Sequence, residues 1–151
     1  MLKFKKPPSD DYLKYWRVIR YYVKAKYKIS TPDLEMLLFL RSEQFFSRDD
    51  FNAFEELMGW DKHRFERLRQ EGWIEMWRKG MKRKKALYQL SFKTERVLSS
   101  IYKKLSGEEI PASSQSNPMF AKNVSYSDKV YRNMIKEMNA AIKQQRHHSH
   151  L

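Results

Sequence analysis

The fold is decided by the segment from Gly72 to Ser91, whose sequence is GWIEMWRKGMKRKKALYQLS. In residues 73–77, Trp73, Glu75 and Trp77 alternate with Ile74 and Met76, and residues 86–90 divide between two sides in the same way, on either side of a polar turn that contains Gly80. Alternation of this kind on both sides of a turn is typical of a β-hairpin. The middle of the segment, from Arg78 to Lys85, holds six Lys or Arg residues and no acid. The sequence therefore predicts a hairpin with a strongly basic tip.

Helical spacing of apolar residues predicts four helices before this hairpin and two after it. The first covers residues 10–28 and the fourth covers residues 62–71. The second begins with Thr31 as its cap. The third begins with Ser47 as its cap and ends at Gly59, since Ser and Thr are good N-caps and Gly ends helices well. Its expected buried stripe is Phe51, Phe54, Leu57 and Met58.

The third and fourth predicted helices are short and are joined by a tight turn, which is the helix-turn-helix arrangement. If Phe65 and Leu68 face the core, a rotation of 100° per residue places His63, Glu66, Arg67 and Gln70 on the outer face, where Glu66 would repel phosphate. Arg pairs well with guanine and Gln with adenine in a major groove. The predicted DNA-binding residues on the helix and the hairpin are Lys62, His63, Arg64, Arg67, Gln70, Arg78, Lys79, Lys82, Arg83, Lys84 and Lys85.

The run FNAFEELMGWDKHRFERLRQEGWIEMWRKGMKRKKALYQLSFKTERVLSSIYKKL resembles the DNA-binding core of MarR-type regulators. Its segment LRQEGWIE is similar to that family's passage from recognition helix to first wing strand. The segment YQLSFKTERVLSSIYKKL resembles its strand-to-helix junction, with Thr94 where the family usually has glycine. The resemblance covers about residues 10–105. It implies a transcriptional regulator that binds double-stranded DNA as a homodimer, with a dimerisation layer built from the first and last helices.

The expected fold is therefore mainly α-helical with a small β-hairpin wing (α+β), a winged helix-turn-helix. Its expected divisions are a winged-helix domain over residues 1–105, an extended connection over 106–125, a C-terminal dimerisation helix over 126–145 and a tail over 146–151. Apolar residues at helical spacing in the first and last helices are the expected dimer interface. They are Tyr12, Tyr15, Trp16, Ile19, Val130, Met134, Met138 and Ile142.

Net charge supports a polyanionic partner. The chain of 151 residues has a formal net charge of +13, and such an excess attracts nucleic acid first and anionic membrane second. Residues 1–28 contribute nine bases and only two acids. No apolar run has the length of a membrane span and the start lacks a signal-peptide core, so we expect a cytoplasmic protein with no membrane partner.

Catalytic chemistry has no candidate in the sequence, and we expect neither an enzyme nor a cofactor. The chain has no Cys and four Gly, which excludes a thiol nucleophile and argues against a Gly-rich phosphate loop. The carboxylate pairs, such as Asp49 and Asp50, are better explained by helix starts. We expect the C-terminal histidines to form a solvated tail, and we predict no metal site.

Two alternatives remain open for the basic segments. The hairpin tip can be a solvated turn that keeps a strand edge from aggregating. The whole chain can be a protein-interaction or assembly module on a winged-helix scaffold, without sequence-specific DNA binding. In that case an exposed apolar patch should be present. A more distant possibility is membrane-surface binding through the first eight residues.

Overall fold

The computed structural model describes residues 6–8 and 11–149, and in this part the chain forms six α-helices, one 3₁₀ helix and one β-hairpin. The chain divides into two compact units. We call Ser30–Ser99 the winged-helix unit, and the described residues of Met1–Ile29 and Ser100–Leu151 the helical unit. In chain order the elements are α1 (Tyr12–Tyr27), α2 (Thr31–Leu40), α3 (Arg48–Met58), α4 (Arg64–Gln70), β1 (Ile74–Arg78), β2 (Leu87–Leu90), α5 (Phe92–Leu105), the 3₁₀ helix (Pro118–Phe120) and α6 (Tyr126–Ser149).

Helix starts follow the local sequence closely. The predicted capping function of Ser47 is confirmed: its hydroxyl accepts from the backbone N–H of Asp50, and the Asp50 carboxylate accepts from the N–H of Ser47, which is a capping box. At α2 the cap is Ser30 and not Thr31, because the Ser30 hydroxyl accepts from the Asp33 N–H at 3.3 Å. The prediction was therefore wrong by one residue there.

The buried face of α3 differs from the predicted stripe. Phe51 and Glu55 are buried, whereas the Leu57 side chain is 71% exposed. The reason is a tertiary contact, since an arginine of α4 donates a hydrogen bond to Glu55 and holds this carboxylate inside. A carboxylate is therefore buried in α3, and Leu57 of the predicted apolar stripe faces solvent.

The hairpin forms as predicted, and a third short segment joins it. Strands β1 and β2 pair antiparallel, with Ile74 opposite Leu90 and Met76 opposite Tyr88. The register shifts between Met76 and Arg78, so that Trp77 is the extra residue of a bulge. On the other edge of β2, Phe46 and Tyr88 exchange backbone hydrogen bonds of 3.0 and 2.8 Å.

The order of elements in the winged-helix unit is α2, the short Phe46 strand segment, α3, α4 and the hairpin. This is the order of a winged helix-turn-helix, in which α4 takes the place of the recognition helix and the hairpin forms the wing. The predicted fold class is thus confirmed. At the base of the wing, the Thr94 hydroxyl donates to the carbonyl of Trp73 at 2.6 Å and ties α5 to the hairpin.

Within the helical unit, α1 and α6 pack against each other. Tyr15 and Ile19 of α1, and Met138 and Ile142 of α6, are between 0 and 2% exposed. These four residues were predicted to meet a second subunit, and that prediction needs correction because they are buried within one chain. Each apolar stripe finds its partner in the same molecule. Tyr12 and Val130, from the same predicted set, are 56 and 36% exposed, and Trp16 and Met134 are half-buried.

Two asparagines fold the predicted connection, residues 106–125, into the helical unit. The buried Asn139 side chain of α6 accepts from the Ile110 N–H at 3.0 Å and donates to the Ile110 carbonyl at 2.8 Å. Asn117 accepts from the Met119 N–H at 3.1 Å and donates to the Pro111 carbonyl at 2.8 Å. The connection is therefore ordered by side chains that satisfy its backbone groups, as buried backbone requires.

The divisions of the chain differ from the expected ones in two places. Helix α1 groups with α6 in the helical unit, and the boundary between units falls inside α5. Helix α6 continues to Ser149, through most of the expected tail. The last two residues of that tail, and the first five of the chain with their proposed membrane contact, lie outside the described residues.

We predict that Asn139→Ala lowers the free energy of unfolding by about 3 kcal/mol, because two buried backbone groups of Ile110 lose their partners at once. Urea unfolding followed by circular dichroism measures this loss. The matched control is Asn133→Ala, at an exposed position of the same helix, which should change stability by less than about 0.5 kcal/mol. Equal effects of the two substitutions would contradict the anchoring function of Asn139.

Candidate nucleic-acid interface

The wing ends in a narrow turn that presents its cations to solvent. Met81 and Lys84 exchange backbone hydrogen bonds of 2.8 and 3.1 Å, which places Lys82 and Arg83 at the outermost positions. Lys79, Lys82, Arg83 and Lys84 are all exposed. In the part of the chain that the structure describes, none of these four side chains forms an ion pair. We call these four residues the wing tip.

The other two predicted wing cations are held at the base of the turn. Arg78 donates to the carbonyl of Lys85 at 3.1 Å. The Lys85 ammonium forms an ion pair with Asp49 at the start of α3, and the hydrogen bond to Asp49 raises the pKa of Lys85 above its ordinary value. Since both side chains of this pair are largely exposed, the pair adds little stability. Arg78 and Lys85 therefore form contacts at the base of the wing, and their charges are less available to a partner than those of the wing tip.

Helix α4 is shorter than predicted, and it carries a buried arginine. It has seven residues, and Lys62 and His63 belong to the turn before it. Arg64, predicted to contact DNA, is 4% exposed. The structure does not place Arg64 where DNA could reach it, because its guanidinium donates hydrogen bonds to Asp33 at 3.1 Å and to Glu55 at 2.6 Å. Arg64 is thus directed into the unit, toward α2 and α3.

Asp33 is the centre of this charged cluster. Its carboxylate, 3% exposed, accepts from the Nε of Arg64 and, in a bidentate pair, from the Nε and Nη2 of Arg67 at 2.8 Å each. Charge-assisted bidentate pairs are among the strongest hydrogen bonds in proteins. One carboxylate of α2 therefore fixes two arginines of α4.

Asp61, in the turn before α4, completes the cluster. It accepts from Arg67 Nη2 at 3.0 Å and from the backbone N–H of His63 at 3.0 Å. The hydrogen bond from Arg67 lowers the pKa of Asp61, and the bonds to Asp33 and Asp61 raise the pKa of Arg67. A carboxyl group whose pKa is lower in the folded than in the unfolded protein stabilises the fold at pH values above its unfolded-state pKa. That contribution is lost as the pH falls through the folded-state pKa. Asp61 and Arg67 are therefore both charged at neutral pH.

Few side chains of the predicted recognition surface remain for a partner. Lys62, His63 and Gln70 are exposed as predicted, whereas Arg67 is half-buried in its pairs with the two aspartates. Glu66 is also exposed and pairs loosely with Arg48 at 3.8 Å. The surface around α4 thus offers two bases and one amide, and one acid that repels phosphate.

Arg48 is a candidate that the sequence analysis missed. It lies in the first turn of α3 over the ring of Phe65, 3.9 Å from the ring centroid, with its side chain 43% exposed. A cation in the first turn opposes the helix dipole, and this is the signal that could have identified it. Arg48 pairs with Glu66 of α4, and its neighbour Asp49 pairs with Lys85 of the wing. The start of α3 therefore adjoins both α4 and the wing.

The fold and this surface together define a winged helix-turn-helix unit with a basic wing tip. No family model matches the chain. No curated protein matches it either. Among solved structures, wild-type MarR from E. coli in its apo form is similar, with 12% sequence identity, a TM-score of 0.45 and coverage of 83% of this chain and 88% of the other. A cysteine-to-serine mutant of E. coli MarR in complex with operator DNA has the same identity and TM-score, and coverage of 83 and 85%.

The described residues contain neither a membrane-spanning helix nor a cluster of metal-ligating side chains. No helix there is both long and apolar enough to cross a membrane. No three His, Cys, Asp or Glu side chains of residues 6–8 and 11–149 are grouped as metal ligands would be.

We predict that Asp33→Ala lowers the free energy of unfolding by about 3–5 kcal/mol, because Arg64 would stay buried without one of its two carboxylates. Chemical denaturation of the two proteins at neutral pH measures this loss. Glu35→Ala, two positions along the same helix, is the matched control, since Glu35 forms none of the ion pairs found in the described residues. A loss below about 1 kcal/mol would mean that the cluster is not a constraint on the fold.

Proposed function

We propose that this protein is a DNA-binding regulator that binds duplex DNA mainly through its phosphates, with the wing tip as the principal contact. The observation that carries the proposal is the set of four exposed cations on a hydrogen-bonded turn, free of ion pairs among the described residues. Like charges are held together at such a turn without compensation only in water or opposite an anion. Lys62, His63 and Arg48 add positive or titratable groups near α4.

The energetic basis is the release of counterions. Each DNA phosphate that a Lys or Arg neutralises releases condensed cations, so that the logarithm of the binding constant falls with log salt by roughly 0.9 per contact. Four wing-tip contacts predict a slope of about −3.6 for each protein chain. The same charges favour rapid association by electrostatic steering.

In this proposal, contacts to the DNA bases contribute less than contacts to the phosphates. Arg67 is engaged with Asp33 and Asp61, Arg64 is buried, and α4 is only seven residues long. Gln70 is the exposed residue with the donor and acceptor that an adenine edge requires. We therefore expect binding to random-sequence duplex DNA with weak sequence preference.

We predict that replacing Lys82, Arg83 and Lys84 by Ala reduces the salt slope of duplex binding by about 2.7 for each chain. Fluorescence anisotropy with a labelled random-sequence duplex, at several salt concentrations, measures it. The matched control replaces Lys103, Lys122 and Lys129, three exposed lysines of the helical unit, and removes the same net charge.

An equal reduction of the salt slope in the two triple variants would show that net charge, and not the wing tip, determines binding. Absence of binding at low salt by the folded native chain would overturn the proposal. It would leave the interaction module as the better function. That second candidate is favoured by one observation, the exposure of Phe39, Leu57 and Trp60 at 42, 71 and 66% in the winged-helix unit.

We also propose that the protein is a homodimer that associates through the exposed remainder of α1 and α6. The support is the apolar surface of Tyr12, Leu13 and Val130, which are 56, 74 and 36% exposed. Arg17 contacts Tyr131 and Tyr21 contacts Asp128, so that α1 and α6 are antiparallel. The exposed start of α1 therefore lies beside the part of α6 that follows Tyr131 and contains the half-buried Met134.

We predict that Leu13→Glu with Val130→Glu shifts the sedimentation mass from twice 18.4 kDa to a single chain. Burial of a carboxylate in an apolar interface is unfavourable unless it is paired. Phe92→Glu, at a site that is 77% exposed, is the control and should leave the mass unchanged. A native chain that sediments as a monomer at micromolar concentration would contradict the dimer.

A further inference from the structure

The helical unit contains a basic cavity that the DNA-binding surface does not include. It has a volume of about 420 Å³ and lies on α1 and α6. Its lining is Arg17, Arg20, Tyr21, Lys24, Ser127 and Tyr131. A second cavity of about 410 Å³ adjoins it, shares Tyr21 and Lys24 with it, and continues toward the end of α1. Together they have the size of a small-molecule site, for which roughly 300–1,000 Å³ is usual.

Within residues 6–8 and 11–149, the three cations of this cavity have no carboxylate partner. Arg17, Arg20 and Lys24 recur every three or four residues on α1, so that they lie along one face. None of them forms an ion pair among the residues that the structure describes. Arg20 and Lys24 are half-buried, and Arg20 lies 6.0 Å from the centroid of the Trp16 ring. The cavity therefore has an excess of positive charge that an anion would balance.

Two tyrosines complete the lining of the cavity, and one of them accepts a hydrogen bond from Arg17. The rings of Tyr21 and Tyr131 are stacked with their centroids 3.8 Å apart. Arg17 donates through Nε to the Tyr131 hydroxyl at 3.0 Å, which leaves the two terminal amino groups of its guanidinium for a ligand. The Tyr21 hydroxyl donates to Asp128 at 2.6 Å. Burial, together with Asp128, raises the pKa of Tyr21 to about 12, so that its hydroxyl stays neutral.

Asp128 lies beside this site and does not pair with the three cations. It lines the adjoining cavity and accepts from Tyr21 and from none of the three bases. On the α6 side the lining residues of the first cavity are Ser127 and Tyr131, both uncharged hydrogen-bonding groups. The arrangement thus combines guanidinium and ammonium donors, a hydroxyl and aromatic rings.

We propose that this cavity binds a phosphorylated small molecule of nucleotide size. Guanidinium groups match phosphate oxygens in bidentate geometry, and a lysine adds a point charge. The tyrosine rings offer an apolar wall for the remainder of the ligand. The site lies wholly in the helical unit, and its binding of the ligand does not depend on the DNA-binding function proposed above.

The test is isothermal titration calorimetry at low salt, without DNA, with three probes: AMP, adenosine and inorganic phosphate. We expect the native chain to bind AMP more tightly than inorganic phosphate and to bind adenosine weakly. Replacing Arg20 and Lys24 by Ala should weaken AMP binding at least about tenfold, because charge-assisted hydrogen bonds to the phosphate are lost. Circular dichroism checks that the variant is folded.

The control replaces Lys103 and Lys122 by Ala, which removes the same charge from exposed positions of the same unit, and it should bind AMP as the native chain does. Equal weakening in both double variants would overturn the proposal in favour of non-specific attraction. Equal affinities for AMP and adenosine, or for AMP and inorganic phosphate, would overturn it as well. Loss of AMP binding in the triple wing-tip variant would assign AMP to the DNA surface instead. If the cavity is the site, that variant binds AMP normally while losing DNA.

Discussion

The buried carboxylate of Asp33 is the constraint on which the winged-helix unit depends. A buried charge is tolerated only when it is paired and hydrogen-bonded, and Asp33 is satisfied by Arg64 and Arg67 together. Both arginines belong to the same short helix, so the position of α4 is fixed relative to α2. An ion cluster of this kind contributes more to the choice of one arrangement than to net stability. Here it takes the place of part of the apolar packing that a seven-residue helix cannot supply.

The cluster also decides which positively charged residues remain available to a partner. Two arginines of α4 are used to position the helix, and Glu55 is drawn inward to meet one of them. The positive charge available to a partner is therefore concentrated at the wing tip, where the hairpin holds it by backbone hydrogen bonds. The ion cluster thus positions α4, whereas the wing tip provides the charges that can contact a partner. This separation favours recognition of phosphates, because these are the groups that a turn rich in lysine can reach.

Local features were predictable from the sequence, and tertiary ones were not. The cap of Ser47 and the hairpin follow from a few neighbouring residues, and both are as predicted. The burial of Arg64 depends on Asp33, a carboxylate 31 positions away, and the exposure of Leu57 accompanies the burial of Glu55 against Arg64. A helical wheel gives the angle of a residue and cannot show what faces it. The burial of Tyr15 was missed for the same reason, since an apolar stripe does not reveal whether its partner is the same chain or another.

The distribution of charge gives the two units separate chemistry. Residues 1–28 hold nine cations and two acids, and from the sequence alone we expect such an excess to attract a polyanion. In the structure, three of those cations line a cavity on α1 whose walls are completed by α6. They belong to the helical unit, whereas the wing tip belongs to the winged-helix unit. The net charge of +13 is therefore the sum of at least two local surfaces. One is an exposed turn suited to a polymer of phosphates, and the other is a concave site suited to a single small anion.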